Sequence, residues 1–464
     1  MAAQQPNVVL IHSHDLGRYL GCYGVDIETP HLTSLAESGA LFSKHFGTAP
    51  QCSPSRGSLM TGRYPHVNGL MGLAHGEWEL DEDERILPHY LSEAGYETHL
   101  FGLQHITQNT DRLRFDHIHS EKNLYPGVSP AVHEANRANT VADVVSECFD
   151  QETFDSPFFA SVGFFEIHRD QEDSGRFGFR GKEYDTDDPQ SVRPLSYLPD
   201  RRGIRHDLAE MHGMVYAVDE AVGTILDAIA DAGIEDETLV IFTTEHGIAF
   251  PRAKGSCYDA GLEAALVMRY PGLADGGAAY DELLSNVDVL PTILDILDID
   301  VPADVEGRSF RPLLADDESY EERDHVFAEM TWHDMYNPVR AIRTDRYKYI
   351  RSFWHLPKVY LSADVFASEA GREVREQYAV PTRPYEELYD LREAPQEDEN
   401  VVYEPRYQDA RVDLSQRLYT WMAETDDPLL DGPVAPPDAE EIRRGDRPIE
   451  QRIVSLGHPG VQPL

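Results

Sequence analysis

The sequence predicts an α/β fold: a mostly parallel central sheet flanked by helices, followed by a smaller C-terminal α+β subdomain containing an antiparallel sheet. Helical periodicity and short apolar runs alternate through the first two thirds of the chain, the pattern of a parallel sheet covered on both faces. The first such run turns polar as it ends, as a buried strand does where it leaves the core. Beyond about residue 320 the pattern gives way to segments rich in Arg and Tyr that read as twisted antiparallel strands. A length of 464 residues suits a large domain over 1–325 and a companion over 326–464.

Taken in order, "NVVLIHSHDLG" is an apolar strand with polar groups at its C-terminal end, and "HLTSLAESGALF" a helix capped by Gly39. "LPHYLSEAGYETHLFGLQHI" reads as helix, glycine turn, strand and loop, and "PFFASVGFFEIHRD" adds a strand. "VDEAVGTILDAIADAGIEDETLVIFTTEHG" carries an amphipathic helix into a strand over 239–244. "RAIRTDRYKYIRSFW" and "ELYDL" supply the antiparallel strands of the smaller unit. The tail from Pro433 reads as an irregular wrap or a disordered segment, and the chain has no internal repeats. Parallel sheets of this kind bind ligands beyond the carboxyl ends of their strands. The polar residues there are His12, His14 and Asp15, then His105, then His168, then Glu245 and His246.

The net charge of -43 comes from 83 acidic residues against 40 basic ones. Only six of the basic residues are lysine. Self-repulsion on this scale destabilises a compact chain in dilute salt, and at about 1 M salt the Debye length falls to roughly 3 Å. The composition therefore points to a halophilic, high-salt cytoplasm, and it argues against nucleic acid or an anionic membrane as partner. The four cysteines, Cys22, Cys52, Cys148 and Cys257, show no C-x-x-C spacing. The N-terminus has no basic segment, and its apolar run over 8–11 is too short for a signal peptide. A soluble, cytoplasmic protein is expected.

Residues 52–69, "CSPSRGSLMTGRYPHVNG", carry the chemistry. Cys52, Pro54 and Arg56 form a C-x-P-x-R core, with Thr61, Gly62, Arg63 and Pro65 behind it. This stretch resembles the signature of the type I sulfatases, formylglycine-dependent members of the alkaline phosphatase superfamily. The resemblance extends along nearly the whole chain, and "SHD", "GLAHG" and "GIAFPR" are in the style of the heparan N-sulfatase (sulfamidase) branch.

The resemblance implies that a formylglycine-generating enzyme oxidises Cys52 to an aldehyde, whose hydrate attacks the sulfur of a small anionic sulfated substrate. One hydroxyl displaces the leaving group; the other re-forms the aldehyde and ejects sulfate. It implies a divalent metal, calcium in the family, held by His14, Asp15, Glu245, His246 and the converted residue 52. Arg56 would stabilise residue 52, His105 would help remove its second proton, and His168 would protonate the leaving group. Lys254 would bind a sulfate oxygen or share that last role. His66, His75 and Arg63 rank behind these as pocket residues.

Three departures accompany the resemblance: His14 and Glu245 stand where aspartates are usual, and Leu103 replaces the lysine of G-K-x-H. A mixed N/O ligand set suits manganese or another transition metal as well as calcium. Two other readings share these residues, a phosphonate monoester hydrolase or phosphodiesterase of the same superfamily and a catalytically weak protein that binds sulfated glycans. The oligomeric state and the choice of O- or N-sulfate are not legible in the sequence.

Overall fold

The computed structural model describes residues 5–119, 130–151, 154, 156–171, 175–379 and 382–437. The expected mostly parallel sheet is present and has eight strands. They are β1 (Asn7–Ser13), β2 (Ala40–Phe42), β3 (Glu97–Gly102), β4 (His117–Ile118), β5 (Phe158–Gly163), β6 (Thr238–Thr244), β7 (Leu266–Arg269) and β8 (Ala278–Tyr280). Their spatial order is β8-β2-β7-β6-β1-β5-β3-β4. The pairs β6·β1, β1·β5, β5·β3 and β3·β4 are all parallel, so five consecutive strands end on one rim. β7 alone runs antiparallel to its neighbours β6 and β2.

Period two splits the sheet's side chains between two cores. Val9 and Ile11 of β1 join one cluster while Val8 and Leu10 join the other. The flanking helices are α1 (Pro30–Ser38), α2 (Cys52–Thr61), α3 (Leu87–Glu93), α4 (Ala138–Gln151) and α5 (Arg202–Asp231). α4 and α5 bury Val141, Val145, Leu208 and Val215 on the first face, and α2 and α3 bury Leu59, Leu87 and Leu91 on the second.

The helix read in 31–42 ends at Ser38, just before Gly39, and the three residues after that glycine form β2. Gly39 does follow α1, but at φ -118 it is no left-handed cap. Glycine is required there because a Cβ would lie 2.3 Å from the Met268 carbonyl oxygen of β7.

The expected antiparallel C-terminal sheet comprises β9 (His325–Trp332), β10 (Tyr336–Thr344), β11 (Tyr347–Ser352) and β12 (Glu386–Asp390), in sequential order. One face, with Phe327, Ile342 and Leu388, packs under the helix α7 (Gln408–Glu424), preceded in the chain by the short helix α6 (Ala363–Ala367). The other face, with Ala328, Met330 and Ala341, closes onto the main core. Residues 433–437 continue past this sheet, where the Trp332 indole donates to the Val434 carbonyl at 2.9 Å. The rest of the tail lies outside the described residues. No helix among the described residues is long and apolar enough to cross a membrane.

Candidate active site

The rim formed by β6, β1, β5 and β3 gathers the polar groups that follow each strand. His14 and Asp15 follow β1, Glu245 and His246 follow β6, His168 lies beyond β5, and His105 lies beyond β3. The adjacent β1 and β5 connections are tied through the backbone, where His14 N–H donates to the Glu166 carbonyl at 2.9 Å. Asp15 has φ 44 and His105 φ 56, left-handed conformations uncommon for residues with a Cβ and concentrated where function holds them.

Cys52 is the first residue of α2 and is 1% exposed. Pro54 falls within the first turn, where its missing N–H leaves no helical hydrogen bond unmade. All ten residues of α2 are buried, so the positive end of the helix dipole opens into the interior beside Cys52. Ser53 Oγ accepts from the Ala74 N–H at 3.0 Å, and Ser55 Oγ donates to the Glu245 carbonyl at 2.5 Å. These bonds register the helix against the segments that supply His75 and Glu245.

Around Cys52 the ligand-type atoms of His14, Asp15 and Glu245 lie within 4.8 Å of its sulfur and of one another. Cys52 Sγ is 3.7 Å from Asp15 Oδ1. His14 Nδ1 is 2.7 Å from Glu245 Oε1 and 3.2 Å from Asp15 Oδ1. His246 Nε2 is 3.2 Å from Asp15 Oδ1 and 3.3 Å from Glu245 Oε1, without forming a hydrogen bond. His14 Nε2 is likewise buried without a partner.

Two cations balance the carboxylates. Arg56 Nε pairs with Glu245 Oε2, Arg56 Nη1 reaches the Gln104 carbonyl at 3.5 Å, and Arg56 Nη2 has no partner. Lys254 Nζ donates to Asp15 Oδ2 at 2.8 Å and to Asp364 Oδ2 at 2.9 Å, and lies 3.4 Å from His168 Nε2. Leu103 is buried, so the position where the family carries lysine offers no third cation.

Protonation follows from this packing. Burial opposes the charges of Asp15 and Glu245, but Lys254 beside the first and Arg56 beside the second hold both well below the usual carboxylate range. Burial also opposes the charge of Lys254, and Asp15 and Asp364 more than reverse it. Burial, with Lys254 second, lowers His168 to about 3. Burial, aided by His75, holds His105 well below the usual imidazole value. Burial pushes the Cys52 thiol well above its ordinary value despite Lys254, which leaves it protonated and a poor nucleophile near neutral pH.

The structure brings His14, Asp15, Cys52, Arg56, His105, His168, Glu245, His246 and Lys254 together in this cluster. His105 Nε2 is 3.1 Å from Nδ1 of the exposed His75, and the two rings stack. His12 is buried with both ring nitrogens unpartnered, and burial, with Arg56 next, lowers its pKa. His66 instead bridges Glu329 and Thr425, and Arg63 pairs with Glu84; both belong to structural joints. Sequence reasoning missed Asp364, whose carboxylate fixes Lys254. It belongs to α6 of the smaller unit, follows no strand of the main sheet and stands in no motif.

Residues 6–299 match the family model described as Sulfatase, more than half of the chain. The chain belongs to the sulfatase family. Residues 245–365 match a second model, N-sulphoglucosamine sulphohydrolase, C-terminal, which sets the chain in the sulfamidase branch. It is 28% identical to human N-sulphoglucosamine sulphohydrolase over 474 aligned residues, covering 93% of this chain and 92% of that protein. Among solved structures, a 2-O GAG sulfatase superposes with a TM-score of 0.70 at 21% identity, covering 92% of this chain and 94% of the other. The phosphonate monoester hydrolase of Agrobacterium radiobacter does so at 0.67 and 20%, covering 90% and 96%. At those identities the likeness establishes the fold.

Proposed function

We propose that the protein hydrolyses a sulfate ester or sulfamate on a small saccharide, using a formylglycine made from Cys52 and one divalent cation. The observation that carries this reading is the convergence of Asp15, Glu245, His14 and His246 on a buried residue 52 at a helix N-terminus. The donor set fits a cation: two ionised carboxylates lie together in a fully buried site, beside two imidazole nitrogens that lack hydrogen bonds. Mixed nitrogen and oxygen donors suit manganese, iron or zinc as well as calcium. A cation bound there would neutralise sulfate oxygens as a Lewis acid. An aldehyde hydrate at residue 52 would supply the nucleophile that a protonated, buried thiol cannot.

The protein's own residues do the rest. Arg56 directs its unpaired Nη2 toward incoming negative charge while Nε holds Glu245. Lys254, fixed by Asp15 and Asp364, is protonated in the resting site and presents its charge to a sulfate oxygen. Neutral His105, with Nδ1 unpartnered, accepts the proton released at residue 52. His168 Nδ1 faces the Arg169 carbonyl at 2.5 Å, so that nitrogen carries the hydrogen and Nε2 offers a lone pair to Lys254. Lys254 and His168 therefore act as one proton-donating unit toward the leaving group, with His168 at the half-open side of the site.

Mass spectrometry of the tryptic peptide over 45–56, from protein made in its native host, tests the modification. The expected spectrum shows conversion of the Cys52 thiol to the aldehyde by a formylglycine-generating enzyme. A substrate panel of N-sulfoglucosamine, an aryl sulfate and an aryl phosphodiester tests the reaction, with turnover of the sulfur compounds expected. An unmodified thiol with no turnover, or a preference for phosphorus, overturns the reading.

A further inference from the structure

The outer edge of the main sheet carries a second group of metal-ligand side chains, outside the catalytic rim. Alternation along β3 points Glu97, His99 and Phe101 to the face covered by α4. β4 pairs with β3 so that His117 lies opposite His99, with His119 two residues on. His99 Nδ1 and His119 Nε2 share a hydrogen bond at 3.2 Å, which a bound cation would replace. Cys148 of α4 completes a set whose three ligand-type atoms lie within 4.8 Å of one another. Two nitrogens on a tetrahedral zinc-like ion, each about 2.0–2.1 Å from it, stand roughly 3.3 Å apart. The imidazoles already hold that separation.

The other side of His99 supports the same role. Its ring is 1% exposed, yet Nε2 has no hydrogen-bond partner and faces Glu97 Oε1 at 3.9 Å. Glu97 is held in turn by His117 Nε2 at 2.8 Å. Metal-bound imidazoles commonly direct their second nitrogen to a carboxylate. As a packing stack alone, the cluster leaves a buried nitrogen unused.

We propose that His99, His119 and Cys148 bind one zinc-type divalent cation, with Glu97 as the positioning residue behind His99. Thiolate and imidazole donors select d-block ions over calcium or magnesium. The ion would fasten β3, the segment after β4, and α4 together. β3 is the strand that leads to His105, so the site would stiffen one wall of the catalytic rim without entering it.

The test is a Co2+ titration of the full chain carrying Cys52→Ala, which removes the thiol of the catalytic centre. We expect a thiolate-to-cobalt charge-transfer band that saturates by two equivalents, since the thiol-free catalytic centre takes cobalt without such a band, and a rise in Tm part of which Cys148→Ser removes. Cys148→Ser should abolish the band, His119→Ala should do the same, and Glu97→Gln should weaken binding about tenfold. With Cys52 intact, Cys148→Ser should leave hydrolysis unchanged. No band in a chain whose circular dichroism shows it folded, or a band that survives Cys148→Ser, overturns the proposal.

Discussion

Arg56 and Arg340 are both buried arginines paired with carboxylates, and the difference between them separates a working site from a fastening. Arg340 has an acceptor for each nitrogen, Asp427 at 2.5 and 3.0 Å, the Met330 and Val339 carbonyls and the Thr331 hydroxyl, and it forms a further ion pair with Glu329 at 3.1 Å. Arg56 has Glu245 and a long contact to Gln104, and Nη2 has nothing. An unsatisfied buried donor costs free energy on the order of 1–3 kcal/mol, so it persists where a ligand completes it. The same contrast holds for His66, bonded at both nitrogens, against His14 and His105, each with one nitrogen left open.

The sharpest way to break the comparison is to remove the residue at its centre. Cys52→Ala should lower hydrolysis of N-sulfoglucosamine or an aryl sulfate by about 10⁴-fold or more, with Tm nearly unchanged because the small side chain gives up only a weak 3.7 Å bond to Asp15. Arg56→Ala should lower kcat/KM by about 10²–10³-fold, the scale for losing one donor to developing charge. Arg340→Ala should act in the opposite sense, destabilising the fold by about 3–5 kcal/mol in urea titrations through the orphaned Asp427 and Glu329. Any activity lost in that variant should track the folded fraction. If Arg340→Ala removed activity from fully folded protein, the division between the two arginines would fail.

Acid titration gives a smaller effect with a definite sign. His168 is lowered from 6.5 to about 3 on folding, first by burial and then by Lys254. Between those values the unfolded chain binds a proton that the folded chain refuses, so stability is full above pH 6.5 and declines as pH falls toward 3. His105 acts in the same direction. Asp15 and Glu245 act in the same direction over the lower part of this window and beneath it: their contribution begins to fall as the pH drops through the ordinary values of 3.8 and 4.5. In chelator-treated protein, His168→Gln should flatten the slope of stability against pH between 6.5 and 3. The smallest effect should come from salt. With a net charge of -43, raising KCl from about 0.1 M to about 1 M, which shortens the Debye length from roughly 10 Å to 3 Å, should raise Tm in every variant alike.

Much of this organisation is legible in the amino-acid order because its signals are local. β1, β3, β5 and β6 are apolar runs long enough to read, and polar residues after parallel strands necessarily share a rim. β2 and β7 escape because three or four residues carry no decisive period, and the direction of β7 depends on its partners. Asp364 escapes for a different reason: its role arises from a tertiary approach between α6 and Lys254. The place of His168 beyond a strand of the sheet is legible, but its neutral state is not, since that depends on burial and on a lysine 86 residues away in the chain.

If Cys52 is converted as proposed, the complete burial of α2 also imposes an order of events on biosynthesis. A modifying enzyme cannot reach residue 52 once its helix is enclosed, nor can it hold the C-x-P-x-R stretch extended while that stretch is helical. The conversion would then have a deadline, set by how soon the segment around 245, whose carbonyl accepts from Ser55 Oγ, arrives to close over the nascent chain. A molecule that folds first is left with a thiol it can no longer exchange.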